Sequence, residues 1–203
     1  MAGAGARARV PFVGLTGGIA AGKSEALSAL ERLGAATLST DAVVGELLTT
    51  DEARDELVER LGSEVAPDGA VDRDAVASLV FERPDELAWL EGYLWPRVGA
   101  RVAAWRDKVA SRDPAPRAAV VEVPLLFESG MERVFDHTIA VIAGDELRTE
   151  RIGGREHTGV ASREQRQLTQ TEKAERADFV VRNDGTLEEL EDALSGILER
   201  IEA

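Results

Sequence analysis

Residues 17–24 read GGIAAGKS, a run whose residue types suit it to hold a chain of phosphates. Gly17, Gly18 and Gly22 let the backbone curl, so that the amides around Ile19, Ala20 and Ala21 can converge on anionic oxygens. Lys23 then reaches the outer phosphates, and the Ser24 hydroxyl is placed to ligate magnesium. The spacing matches G-x-x-x-x-G-K-[ST], with Gly17, Gly22, Lys23 and Ser24 in the four fixed places. A helix that begins at Lys23 would add the positive end of its dipole.

Such a loop needs a strand before it and a helix after it, and the flanking residues provide both. Residues 10–15, VPFVGL, are apolar and partly β-branched, and they stop at glycines, as a buried strand does. Ala26, Leu27, Leu30 and Leu33 recur at helical spacing, and Gly34 is a natural stop. Residues 35–38 form a second short strand candidate, with Ser39 to Asp41 as its exit turn and helix-capping material. Strand, helix and strand within about 30 residues is the signature of a parallel sheet.

From residue 43 to 112 the pattern becomes helix after helix, with turns at Pro67-Asp68-Gly69 and at Pro84. Val98, Val102, Trp105 and Val109 share one face of the last helix, a packing stripe. Trp89, Tyr93 and Trp95 read as core or interface filling. After the loop at residues 113–116, the runs 118–123, 137–143 and 178–181 supply three more strands. Residues 146–177 are polar and helical in pattern, and a closing helix over 187–201 has Thr186 as its N-cap. The expectation is a three-layer α/β fold of the P-loop NTPase type, with a parallel five-stranded sheet, a helical insertion and a lid. In a single unit of 203 residues, the core takes 10–42, 117–145 and 178–203, the insertion 43–116 and the lid 146–177.

Composition excludes several classes. A net charge of −14 leaves no broad basic face for nucleic acid. No apolar run approaches the roughly 20 residues that span a bilayer. Residues 1–9 lack an apolar core of secretory length and read as a tail. There is no cysteine, hence no disulfide framework or thiolate site, as suits a reducing cytoplasm. The basic residues that cluster between Arg148 and Arg182 are interleaved with acids, ordinarily a solvated helical face. His137 and His157 are isolated and read as structural.

The loop alone fits motors, GTPases and small-molecule kinases alike. The wider set of motifs resembles the dephospho-CoA kinase family over nearly the whole chain. The matching elements are GLTGGIAAGKS (14–24), Ser39-Thr40-Asp41-Ala42, the DG-x-x-D-R element at 68–73, and VPLLFESG (123–130). Arg151-Ile152-x-x-Arg155 is similar to the family's lid motif, and residues 177–185 to its late strand and turn.

Asp41 lies just past the C-terminal end of the second strand, the edge where open α/β sheets place ligands. It is therefore the candidate base for an acceptor hydroxyl, a role the resemblance also implies. Arg151 and Arg155 lie four apart, share a helical face, and could close over nucleotide phosphates as a lid that excludes water. Glu122 is placed to hold magnesium through water, Glu128 to fix its loop. The resemblance further implies that Asn183 borders the adenine, and that the substrates are ATP, with Mg2+, and dephospho-CoA. Rival readings are another small-alcohol or nucleotide kinase and a silent ATP-binding module. Two departures from the family pattern stand out. Ser39 takes the place of a first aspartate, and Trp95-Pro96-Arg97-Val98-Gly99 replaces a His-Pro with an arginine three residues on. Arg97 or Arg101 would then take over at the acceptor.

Overall fold

The structure, a computed structural model, describes residues 9–153 and 167–203. Its centre is a sheet of five parallel strands in the order β2-β3-β1-β4-β5. The strands are β1 (Phe12–Gly17), β2 (Ala36–Ser39), β3 (Ala119–Glu122), β4 (His137–Ile142) and β5 (Phe179–Arg182). Parallel strands covered on both faces must be apolar on both, and β1 and β3 are buried at every position.

Alternation divides the sheet between two cores. Val13, Leu15, Val120, Ile139, Val141 and Val181 face α1 (Lys23–Arg32) and the closing helix α8 (Leu187–Glu202). Phe12, Ala119, Val121 and Val123 face the other way, onto α2 (Thr40–Leu47) and the later half of α5 (Pro84–Ala110). Helix, sheet and helix make the three layers.

A third core gathers α3 (Asp51–Leu61), α4 (Arg73–Phe81) and the first half of α5 around Leu57, Val65, Val80, Leu90 and Tyr93. Helix α5 joins this core to the sheet, because Leu90 and Leu94 lie in the third core while Val98, Val102 and Val109 pack on the sheet. Proline at the first turn of a helix loses no intrahelical bond, and Pro84 opens α5 directly after the break at residues 82–83 that separates it from α4. Trp105 is half-buried beside that stripe, whereas Trp95 stays 47% exposed. After β4 come α6 (Asp145–Gly153) and α7 (Gln170–Arg176). Thr169 and Thr186 each begin a helix with a reciprocal capping box, to Glu172 and Glu189.

β1, β2 and β5 sit one or two residues later than the sequence pattern predicts, whereas β3 and β4 fall within their predicted runs. β1 continues through Thr16 and Gly17 because Gly17 still pairs with Val141 of β4, a partner no local pattern shows. Thr40 and Asp41 form no exit turn, since the chain passes from Ser39 directly into α2. His137 stacks edge-on with Phe179, a packing role, and His157 lies outside the described residues.

Candidate active site

Register sets the geometry. Ser39 of β2 and Leu15 of β1 both pair with Glu122, the last residue of the intervening β3. Leu15, Glu122 and Ser39 therefore lie level; β2 and β3 end there, and β1 runs two residues further to Gly17 before the phosphate loop leaves it, while Asp41 follows β2. Two strand spacings, roughly 10 Å, separate those exits.

The loop is shaped by close approach. Gly17 lies so near the Val141 carbonyl that a Cβ would overlap it. Gly22 adopts a left-handed φ of 93° and abuts the Asn183 amide. No side chain caps α1, so its first amides are not taken up by a neighbour, the usual condition for an anion site. Ser24, in the first turn, is exposed. Lys23 Nζ donates to the carbonyls of Gly17 at 3.4 Å and Gly18 at 3.1 Å, which holds its ammonium within the loop. Burial pushes the Lys23 ammonium below its ordinary value, opposed by the charges of Glu122 and Asp41 and reinforced by Lys173 and Arg148.

Glu122 is 6% exposed. Burial raises its carboxyl above the usual range, while a hydrogen bond with Ser39 and the charge of Lys23 act in the other direction. Ser39, standing where the family pattern has an aspartate, thus serves as a partner to Glu122. Asp41 is exposed in the first turn of α2 and close enough to both Lys23 and Glu122 to act on them electrostatically. It caps no helix. The turn that carries it is anchored by Thr40, whose hydroxyl donates to the Glu122 carbonyl at 2.9 Å.

On the far side of the loop, Asn183 Nδ2 donates to the Ala21 carbonyl at 3.0 Å. Arg151 bridges the Ala20 and Asn183 carbonyls, each at 3.3 Å. Arg155 lies outside the described residues. Arg148 is a loop partner that the sequence pattern did not single out: its Nε donates to the Ile19 carbonyl at 2.9 Å. Its spacing of three from Arg151 was the available signal, hidden among mixed charges. Glu128 does fix its loop, accepting from the Leu168 amide at 2.8 Å and pairing with buried Lys173 at 3.1 Å.

The donors near the loop suit a magnesium ion: one accessible hydroxyl, Ser24, and the carboxylates of Glu122 and Asp41. Among the described residues no three acidic or histidine side chains cluster as a self-sufficient metal site. An ion here would take its remaining ligands from phosphate and water, as Mg2+ commonly does.

A strand-loop-helix with lysine inside the loop, a carboxylate two strands away and arginines over the loop form the layout of a phosphoryl-transfer site. The family model described as dephospho-CoA kinase (CoaE) matches residues 11–189. The chain belongs to the dephospho-CoA kinase family. A dephospho-CoA kinase of Deinococcus radiodurans is 37% identical over 193 residues, covering 94% of this chain and 92% of that protein. One from Protochlamydia amoebophila is 34% identical, covering 93% and 95%. A solved structure from Thermus thermophilus superposes with a TM-score of 0.80 at 32% identity, covering 95% of this chain and 98% of that one. The dephospho-CoA kinase structure of Campylobacter jejuni, 23% identical with a TM-score of 0.63 and covering 96% and 98%, shares the fold. Members of this family are ATP-dependent kinases that transfer phosphate to a hydroxyl.

Proposed function

We infer that the chain phosphorylates the 3′-hydroxyl of the ribose of dephospho-CoA with MgATP, giving CoA and ADP. The observation that carries this reading is the exposed Asp41 carboxylate across the sheet edge from the loop, within electrostatic reach of Lys23. Phosphoryl transfer demands chiefly positioning and charge stabilisation. Residues 17–24 would wrap the ATP phosphates, with Lys23 on the outer ones. The acceptor oxygen attacks the γ-phosphorus, the bond to the bridging oxygen breaks, and ADP leaves. The acceptor proton passes to Asp41. Arg151, with Arg148 and with Arg155 beyond the described residues, would gather the charge that builds on the transferring oxygens. Asn183 would border the adenine.

Ser24 and Glu122 would hold magnesium, Glu122 through water; the ion supplies charge neutralisation at the phosphates. In this reading residues 43–116 hold the acceptor, residues 146–177 are the lid, and the enzyme works in the cytoplasm with its soluble substrates.

The test is direct. Purified protein given ATP, Mg2+ and dephospho-CoA should produce ADP and CoA in equal amounts. No CoA from folded protein would end the assignment, and a panel of other alcohols and nucleotides would find the true acceptor.

A further inference from the structure

The two halves of the phosphate loop differ in what covers them. The later half is held by Asn183 and Arg151, which bond the carbonyls of Ala21 and Ala20. Gly17 and Gly18 instead hold the Lys23 ammonium, and there the loop meets the start of α7. A Cβ on Gly18 would lie 3.1 Å from the Gln170 Cβ, so loop and helix are in contact. Beside this contact is a hollow of about 340 Å3, walled by Gly18 and Ile19 of the loop, Arg148 of α6 and residues 167–171. Because the lysine of such a loop serves the outer phosphates, the hollow adjoins the end of the cradle where a γ-phosphate would sit.

The residues that lead into α7 are each fastened. The Leu168 amide donates to Glu128 at 2.8 Å, and Thr169 closes a capping box with Glu172. Gln170 grips the Ala143 backbone with both side-chain atoms: Oε1 accepts from its amide at 3.1 Å, and Nε2 donates to its carbonyl at 2.9 Å. Gln167, next to them in the wall of the hollow, is the exception. Its side-chain oxygen is buried, yet among the described residues no hydrogen bond engages its carboxamide. A buried polar group without a partner is costly, and one that stands on fixed backbone calls for a ligand to explain it. The carboxamide can offer an oxygen or, after a half-turn, an NH2 with two donors, and it does so without charge.

We propose that Gln167 donates its side-chain NH2 to an oxygen of the γ-phosphate of ATP, and that this contact lets the loop tell ATP from ADP. The inference rests on the reading of residues 17–24 as the ATP cradle and adds to it the residue that checks for the phosphate to be transferred. Lys23 and the arginines over the loop supply charge, which draws any polyphosphate, ADP included. A neutral amide at one place contributes only when a third phosphate reaches it. The bonds at residues 168–170 already hold its backbone, so little further order is lost when the contact forms. A neutral donor also suits a wall that contains Arg148 and stands near Lys23, where another cation would meet repulsion.

Titration calorimetry with Mg2+ and either ADP or the β,γ-methylene analogue of ATP, with no acceptor present, tests it. Gln167→Met keeps the length of the side chain and removes its hydrogen bonds. It should weaken binding of the analogue about 10- to 100-fold, the loss of a hydrogen bond to a charged group, and leave ADP within about twofold. Gln167→Glu sets a negative charge against the phosphate and should weaken the analogue further, again sparing ADP. The urea midpoint of Gln167→Met should not fall, since the substitution removes a buried polar group that has no partner. Unchanged affinity for the analogue in Gln167→Met, an equal loss for ADP, or a lower urea midpoint would each overturn the proposal, the last two by making Gln167 a support of the loop. Wild-type protein that binds neither nucleotide would sink the reading of residues 17–24, and one that binds both but makes no CoA would sink the acceptor assignment alone.

Discussion

Asn183 donates its side-chain amide to the carbonyl of Ala21 at 3.0 Å, across 162 residues of sequence. The bond closes the back of the phosphate loop, and Gly22 leaves no room for a side chain in front of it. Asn183→Ala removes the donor and leaves a buried carbonyl unpaired, at a cost of about 1–3 kcal/mol. We expect weaker ATP binding by about tenfold, together with that loss in urea unfolding. Gly22→Ala should be worse, because it adds a collision and a strained left-handed backbone. Unchanged ATP affinity in a folded Asn183→Ala protein would show that the loop holds its shape alone.

Asp41→Asn keeps size and solvent exposure but cannot accept the proton. Loss of general-base catalysis typically costs about 10²- to 10⁴-fold, and kcat should fall within that range. Affinity for ATP should be preserved, since no hydrogen bond among the described residues links this side chain to the loop. Comparable loss of ATP binding, measured by calorimetry, would make Asp41 a structural support for the loop.

What the sequence discloses here depends on how local the cause is. Residues 17–24 could be read because strand, turn and helix follow one another, and each part has its own residue signature. The five strands were visible as apolar runs, but the extension of β1 to Gly17 was not, since it depends on pairing with Val141. Arg148 looks like its neighbours on a charged helix until its partner Ile19, 129 residues away, is known. Arg97 shows how partners stay hidden. Its type fits an acceptor site, and only the structure shows its bond to Glu52, 45 residues away, and its stack on Tyr93.

Glu122 makes the stability of the protein depend on pH in a defined direction. Burial raises its carboxyl above the usual range despite Ser39 and Lys23, so the folded state favours the protonated form. The stability that protonation supplies is complete below the ordinary glutamate value, about 4.3, and is lost as pH rises through the raised one. Glu122→Gln mimics the protonated form and keeps a hydrogen-bonding partner for Ser39. Its melting temperature should exceed the wild type at pH 7–8, and the gap should close as pH falls below about 4. Each kcal/mol appears as about 2–4 °C in a chain of this size. The same variant should need more Mg2+ for half-maximal activity. A gap that widens toward low pH would reverse the assignment.

Lys173 of α7 is 0% exposed, and the partners of its ammonium come from the segment after β3. Its ammonium pairs with Glu128 at 3.1 Å and donates to the Pro124 carbonyl at 2.5 Å, where the Thr16 hydroxyl also donates at 3.3 Å. Glu128 in turn accepts from the Leu168 amide through the same oxygen, Oε1, and leaves Oε2 buried without a partner among the described residues. The pair thus joins the end of β1, the segment after β3 and the start of α7, three strands of chain that meet behind the phosphate loop. Breaking such a pair from one side strands the other charge, at about 3–5 kcal/mol, whereas neutralising both costs far less. Lys173→Met alone should therefore be severely destabilised in urea. Combined with Glu128→Gln, whose oxygen can still accept from Leu168, it should regain at least half of that loss. If the two substitutions simply add, the charges are not coupled, and Lys173 is buried for its hydrocarbon stem and its bond to Pro124.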